Sequence, residues 1–368
     1  MNKNIILCLS ILYILSVISN CSRQEATQFY FPADNIVLKI NTVSPDGHYM
    51  VIDFCYLSDS QPGAGEYYHP EMQLVLDMKQ KEYWPLLDTT IFHDAQYFSW
   101  ADDANMLIFS ASVIRPKDTT ELFPIYIHDL RTRTNRMLVK PWLKISHYSI
   151  PLFSHDKPEI IFWVPGVVVE TMKPSARTVG RIFSWDTLQK TITKIAEDKK
   201  IATAMWMNLY IPVDLYMKAD RNLWHVSLIK RQLINITPNM WVTGGIRRYK
   251  DKLVFPGMDQ ERQNMIYIYD MKTKSFVSKL RYNKGFILNA SFNASNKLVV
   301  ATLKEKSHWI FLLNEGGFVL DSLEGYTPFW LAGTDSLVCS KGTSIVQLYP
   351  EDTKLVIEPI FTVVKQTQ

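Results

Sequence analysis

The stretch LVLDMKQKEYWPL at residues 74–86 reads as two short apolar strands around a polar turn that opens on Asp77. Apolar runs of four to eight residues bounded by turn formers mark a β-hairpin. An Asp at the head of the turn bonds the backbone a few residues ahead. The same hairpin returns six times, as YIHDLRTRTNRML (126–138), FSWDTLQKTITKI (183–195), WHVSLIKRQLINI (224–236), IYIYDMKTKSFVSKL (266–280), FLLNEGGFVLDSL (311–323) and QLYPEDTKLVIEPI (347–360). The place of Asp77 is taken by Asp129, Asp186, Ser227, Asp270, Asn314 and Glu351, at spacings of 52, 57, 41, 43, 44 and 37. Self-similarity at this period is the mark of a repeat architecture.

Working outward, each hairpin is preceded by another strand–turn–strand unit. Val43-Ser44-Pro45-Asp46-Gly47-His48-Tyr49 begins the first, and 98–109, 153–162 and 292–300 repeat it. Residues 248–255 and 331–338 are degenerate copies. Four strands per unit and seven units predict an all-β fold, a single β-propeller with seven four-stranded blades. Six blades remain an alternative, because Pro212 interrupts the strands of residues 200–237 and the hairpin there lacks Asp. No linker rich in Gly, Pro or Ser divides the repeats, and no alternating β/α pattern suggests a parallel sheet. The Ser44-Pro45-Asp46-Gly47 turn, between an apolar residue and an apolar strand, resembles the repeat of TolB-like (PD40-type) propellers. That repeat is shared with the propeller domains of prolyl-oligopeptidase and dipeptidyl-peptidase relatives. The resemblance implies the fold and is nearly silent on function.

Composition agrees. Of 368 residues, 47% are apolar and 12% aromatic, a balance that excludes wholesale disorder and leans towards pleated, half-buried surfaces. The formal charge of +4 is small for this length and shows no nucleic-acid footprint.

The N-terminus reads as an address. Lys3 precedes the apolar run of residues 5–18, which is short for a membrane span and fits a secretory signal peptide. Val17-Ile18-Ser19-Asn20-Cys21 resembles a bacterial lipoprotein lipobox of the looser Bacteroidota kind, although Asn20 stands where Gly, Ala or Ser is usual. The resemblance implies lipidation of Cys21. The other reading is an ordinary signal peptide cut nearby, with Cys21 a bystander. The expected organisation is therefore residues 1–20 signal peptide, 21–34 lipidated cysteine and short tether, and 35–368 propeller. Acyl chains would hold the domain on a membrane without a spanning helix. Ser22 after the cysteine points to the outer membrane of the cell envelope, with the side, periplasmic or surface, left open. Cys55 and Cys339 sit in apolar strands of the first and last units, as buried free thiols or as a pair.

In a propeller the loop between a blade's second and third strands opens on the same face as the connections between blades. Those loops are long at residues 58–70, 112–124 and 165–180, with a shorter one at 256–264. Extra chain on one face suits binding. The face is expected to carry Tyr67, Tyr68, His69, His93, Arg115, Trp142, His147, Arg177, Trp241, Tyr282 and Tyr326. Flat rings beside charged hydrogen-bonders suit a protein, peptide or glycan partner. The competing reading has these loops as decoration with the rings packed beneath them.

Oligogalacturonate lyases resemble a possible convergence of His69, His93 and His147, with a propeller and a His-rich metal site. No local ligand motif such as HExxH or CxxC is present, so no metal or cofactor is expected. No GxSxG elbow or phosphate-binding loop occurs, and the last hairpin ends close to residue 368, so no hydrolase domain is expected to follow. The sequence therefore favours a non-catalytic, membrane-anchored binding propeller without assigned catalytic residues. The alternative is a polysaccharide lyase or glycoside hydrolase working at the channel mouth.

Overall fold

The computed structural model describes residues 27–31, 36–56, 70–89, 92–113, 124–139, 150–154, 158–164, 179–210, 214–293, 297–304, 307–314, 316–331, 334–351 and 354–365. Seven separate sheets span 36–85, 92–139, 150–198, 204–235, 241–281, 286–324 and 326–365. In each, four strands follow in chain order, every one antiparallel to the next. We letter them A to D from the centre outward. The A strands of neighbouring blades abut one another around a central channel. The protein is a seven-bladed β-propeller. The six-bladed alternative fails, because residues 204–235 form a complete blade with strands Ala204–Tyr210, Asp214–Ala219, Asn222–Ser227 and Gln232–Asn235. Pro212 falls between the first two, outside the described residues.

Seven apolar clusters hold the ring, one at each seam between blades. The period of two along a strand builds them. In Tyr49–Tyr56, Met50 and Ile52 pack towards the last blade, whereas Val51 packs towards the second. In Leu298–Lys304, Leu298 and Val300 face the fifth blade and Val299 faces the seventh. B strands are thus buried on both sides, which is why they read as continuous apolar runs such as Ile160–Val164. Each large side chain so buried contributes about 1.5–3 kcal/mol.

The repeating Asp behaves as its chemistry predicts. Asp77 Oδ1 accepts the backbone N–H of Lys79 and Gln80, each at 2.9 Å. Asp129 and Asp186 do the same for the residues two and three ahead, and Asp270 caps Thr273. Asn314 fills the role in blade six, and Ser227 makes one longer bond, to Lys230 N, at 3.3 Å. Lys81, Arg133, Lys190, Arg231 and Lys274, four residues past the marker, all take positive φ between 50° and 58°. That left-handed residue closes the hairpin in register.

The ring closes in an unexpected place. Blade seven is complete from the C-terminal end of the chain, and strand Thr27–Phe31 then adds to its outer edge, parallel to Lys354–Lys365. These residues lie within the stretch 21–34 assigned above to a tether, so the folded domain begins before residue 35. Phe29 sits edge-on to Phe54 and Tyr83 of blade one, at 5.0 Å each, and stacks on Phe361 of blade seven at 6.2 Å. It clasps the first seam from outside. Cys55 and Cys339 are both buried free thiols, and burial pushes each up to about 12.

Candidate functional site

The fold defines two faces. The loop face carries the B–C loops and the interblade connections, and the turn face carries the A–B and C–D turns. Of the residues expected on the loop face, Tyr67, Tyr68, His69, Arg115, Trp142, His147 and Arg177 fall outside the described residues, as does the lipidation candidate Cys21. His93 is in strand Phe92–Trp100, with its side chain outside the described set. The remaining three separate clearly. Tyr282 is buried at 4% exposure, packs on Phe311 at 6.1 Å and lies inside the blade rather than on the face. Tyr326 is partly buried, against His308 at 4.3 Å. Trp241 is 45% exposed, and the Arg221 guanidinium lies over its ring at 5.1 Å.

Trp241 and Arg221 meet because blade four has a two-residue B–C turn. Asp220 and Arg221 both take positive φ, 45° and 63°, as a tight hairpin requires. Next to this pair, at the loop-face edge of blade five, lies a groove of about 580 Å³ bordered by Asn239, Met240, Asp259, Glu261 and Phe276. Its loop is shorter than the sequence suggested. Lys252–Met258 continues as a strand through Pro256 and Gly257, which leaves residues 259–263 as the turn. Asp259 Oδ1 organises that turn by accepting Glu261 N and Gln263 N.

A second concavity, of about 720 Å³, occupies the channel at the turn face. The late halves of the A strands line it, including Phe98, Trp100, Phe153, Phe292 and Trp330. Blade five supplies its charged residues. Its A strand is split into Trp241–Val242 and Arg247–Tyr249, both paired with Lys252–Met258. Between them Gly244 presses against Leu288 of blade six, where a Cβ would come within 2.2 Å of the Leu288 carbonyl oxygen. Gly245 N donates to that same oxygen, and Lys218 Nζ donates to Gly244 O, each bond fastening the break. The chain then delivers Arg247 across the channel. Arg247 Nε donates to Asn289 Oδ1 of blade six at 3.3 Å, and its guanidinium covers the Phe329 ring of blade seven at 4.0 Å. Burial draws the guanidinium down to about 10, which leaves it charged at neutral pH. Sequence reasoning missed Arg247. Its only local signal is a pair of basic residues after Gly244-Gly245, in a strand too short to show a period.

Polar clusters at the seams do structural work. Asp214 accepts His225 Nε2 at 2.6 Å and Lys274 Nζ at 3.0 Å, tying blade four to blade five. Burial raises the Asp214 carboxyl, and the bonds from His225 and Lys274 outweigh it, so the group stays below its ordinary range. Among the described residues no three His, Cys, Asp or Glu side chains are placed to hold a metal ion.

No family model matches the chain. No curated protein matches it in sequence. Solved structures do match in fold. The chain is similar to prolyl oligopeptidase B from Galerina marginata bound to a 25mer macrocyclization substrate, with TM-score 0.59 and 10% identity over 91% of this chain and 52% of that one. It therefore spans about half the length of that enzyme. It is also similar to an oligogalacturonate lyase in complex with manganese, with TM-score 0.56 and 10% identity over 89% of this chain and 90% of that one. The β-propeller domain of the Trilobed protease from Pyrococcus furiosus matches with TM-score 0.51 and 10% identity, over 87% and 97%. At these identities the likeness is one of fold.

Proposed function

We propose that the protein is a membrane-anchored, non-catalytic propeller lipoprotein that holds a protein, peptide or glycan partner on its loop face. The observation that carries this reading is Trp241, an exposed ring under the Arg221 guanidinium, one residue along the chain from Met240 at the border of an open groove. A flat apolar face with an adjacent fork of donors stacks on a sugar ring or a peptide aromatic and fixes its polar groups. Connection length adds to it. The B–C segments of blades one to three, at 57–69, 114–123 and 165–178, far exceed the tight turns at Asp220-Arg221 and Gly342-Thr343. The groove supplies rings, amides, Lys279 and two acidic residues of one turn, Asp259 and Glu261, both engaged by bonds within that turn. That favours holding a partner over cleaving one.

The test is direct. Purified mature chain is applied to glycan and peptide arrays beside Trp241→Ala, which alters an exposed residue. Selective binding that falls by about tenfold in the variant supports the reading. Binding indifferent to Trp241, or release of cleaved glycan from the array, overturns it. Anchoring is tested separately, by labelling cells with a fatty-acid probe and comparing Cys21→Ala. Unchanged labelling would refute lipidation.

A further inference from the structure

The turn-face cavity poses a question that the loop-face reading does not touch. Among the described residues, the charged side chains in its wall are all of one sign, Arg247, Arg248 and Lys250. Arg247 reaches residues of the next two blades, Asn289 and Phe329. Its partners are a neutral amide and a phenyl ring, and no described carboxylate pairs with it. A guanidinium taken partly out of water without a counter-charge is costly to hold, and an anion set against its free N–H groups relieves that cost.

A second observation is independent of charge. Tyr249 Oη and Ser291 Oγ are buried in the same wall and have no hydrogen-bond partner among the described residues. Buried polar atoms are nearly always bonded, and these two are closed to solvent, so a ligand in the cavity reaches them only if a side chain of the wall shifts. Arg247 and Tyr249, two apart on one strand, share a side of it. The rest of the wall mixes rings and aliphatic side chains with polar groups of Thr42, Ser99, Asn293 and Thr334. Trp100 Nε1 is committed to Thr42 Oγ1 at 2.9 Å, and Trp330 Nε1 to Ser291 O at 3.1 Å, so these indoles offer faces rather than donors. Phe153 and Phe292 extend the same surface. A volume of about 720 Å³ is the size of a pocket for a small organic molecule.

The geometry points to a binding site on the turn face for a small organic anion, with its carboxylate or sulfonate head on Arg247 and a flat apolar body between the rings of the channel mouth. The site needs neither lipidation nor the partner assigned to the loop face.

The probe is 8-anilinonaphthalene-1-sulfonate, an aromatic sulfonate, titrated into the full chain beside its uncharged counterpart N-phenyl-1-naphthylamine. One sulfonate site per chain is expected, about tenfold tighter than for the neutral dye. Arg247→Met should weaken the sulfonate about tenfold and leave the neutral dye within about twofold. Equal affinity for the two dyes, or sulfonate binding unchanged in folded Arg247→Met, overturns the site. If that variant does not fold, Lys250→Gln decides, because Lys250 is exposed at the turn. Sulfonate binding weakened about threefold supports the site, and unchanged binding overturns it.

Discussion

Replacing Gln73 by Met tests how one blade is held to the next. Gln73 lies in strand C of blade one at 3% exposure, and its amide reaches into blade two. Oε1 accepts Ala95 N at 2.6 Å, and Nε2 donates to Ala95 O at 2.9 Å and to Asp53 Oδ1 at 2.8 Å. Ala95 is in an innermost strand, which has a neighbour on one side only. Gln73 stands in for the strand that is missing. Met has nearly the same length and volume and bonds to neither group, so the change opens little cavity. It leaves a buried N–H and a buried C=O without partners, at about 1–3 kcal/mol each, and removes one bond from Asp53. The expected loss is about 3–5 kcal/mol. At about 2.1 cal/mol/K per residue, a chain of 368 residues has an unfolding entropy near 0.8 kcal/mol/K. A loss of 4 kcal/mol therefore lowers Tm by about 5 °C. Urea unfolding with the slope monitored gives the free energy directly. Gln80→Met, on the exposed turn, is the control and should stay within about 0.5 kcal/mol. A Gln73→Met loss below about 1 kcal/mol, with the slope unchanged, would show that water reaches Ala95 and would refute the reasoning.

His128 should make stability pH-dependent. Its Nε2 accepts from Trp84 Nε1 at 3.0 Å and its Nδ1 pairs with Asn135 Oδ1 at 2.9 Å, an arrangement of the neutral ring, and burial holds its pKa below the ordinary value. Below pH about 6.5 the unfolded chain takes a proton that folded His128 resists, so stability falls from there downward and His128 adds no slope above. Tm measured from pH 7 to pH 5 should accordingly drop less in His128→Gln than in the unaltered chain. Lys190 holds φ at 56°, and Lys190→Gly is expected to stabilise the blade-three hairpin by about 0.5–1 kcal/mol, where a loss in urea unfolding would contradict the turn assignment. Cys55 and Cys339 should resist iodoacetamide in the native chain near neutral pH and react in urea, as peptide mass mapping would report.

The hairpins carried much of this architecture in plain sight. Asp77, Asp129, Asp186 and Asp270 were readable as turn heads because a side-chain carboxylate and the backbone two or three residues ahead are a local matter. The B strands were readable because burial on both sides leaves no polar residue to break the run. Blade four was the weak copy, since Ser227 makes a poorer cap than Asp and Pro212 interrupts the pattern. The start of the domain was misplaced because Thr27–Phe31 has no hairpin partner nearby. Its neighbour is Lys354–Lys365, at the far end of the chain. Tyr282 was expected at a surface because it follows a strand. Its ring turns inward against Phe311 of the next blade, and position along the chain does not report that direction.

The repeated four-stranded unit and the all-β propeller follow from the sequence alone, because turn chemistry and period-two burial act over a few residues, whereas the count of seven needed the complete fourth blade. The channel was decided by tertiary structure. Arg247, Asn289 and Phe329 come from three blades and meet only when the ring closes. Several innermost strands are broken or shifted in register, with neighbours across a seam rather than along the chain, so no local pattern announces which of their side chains converge.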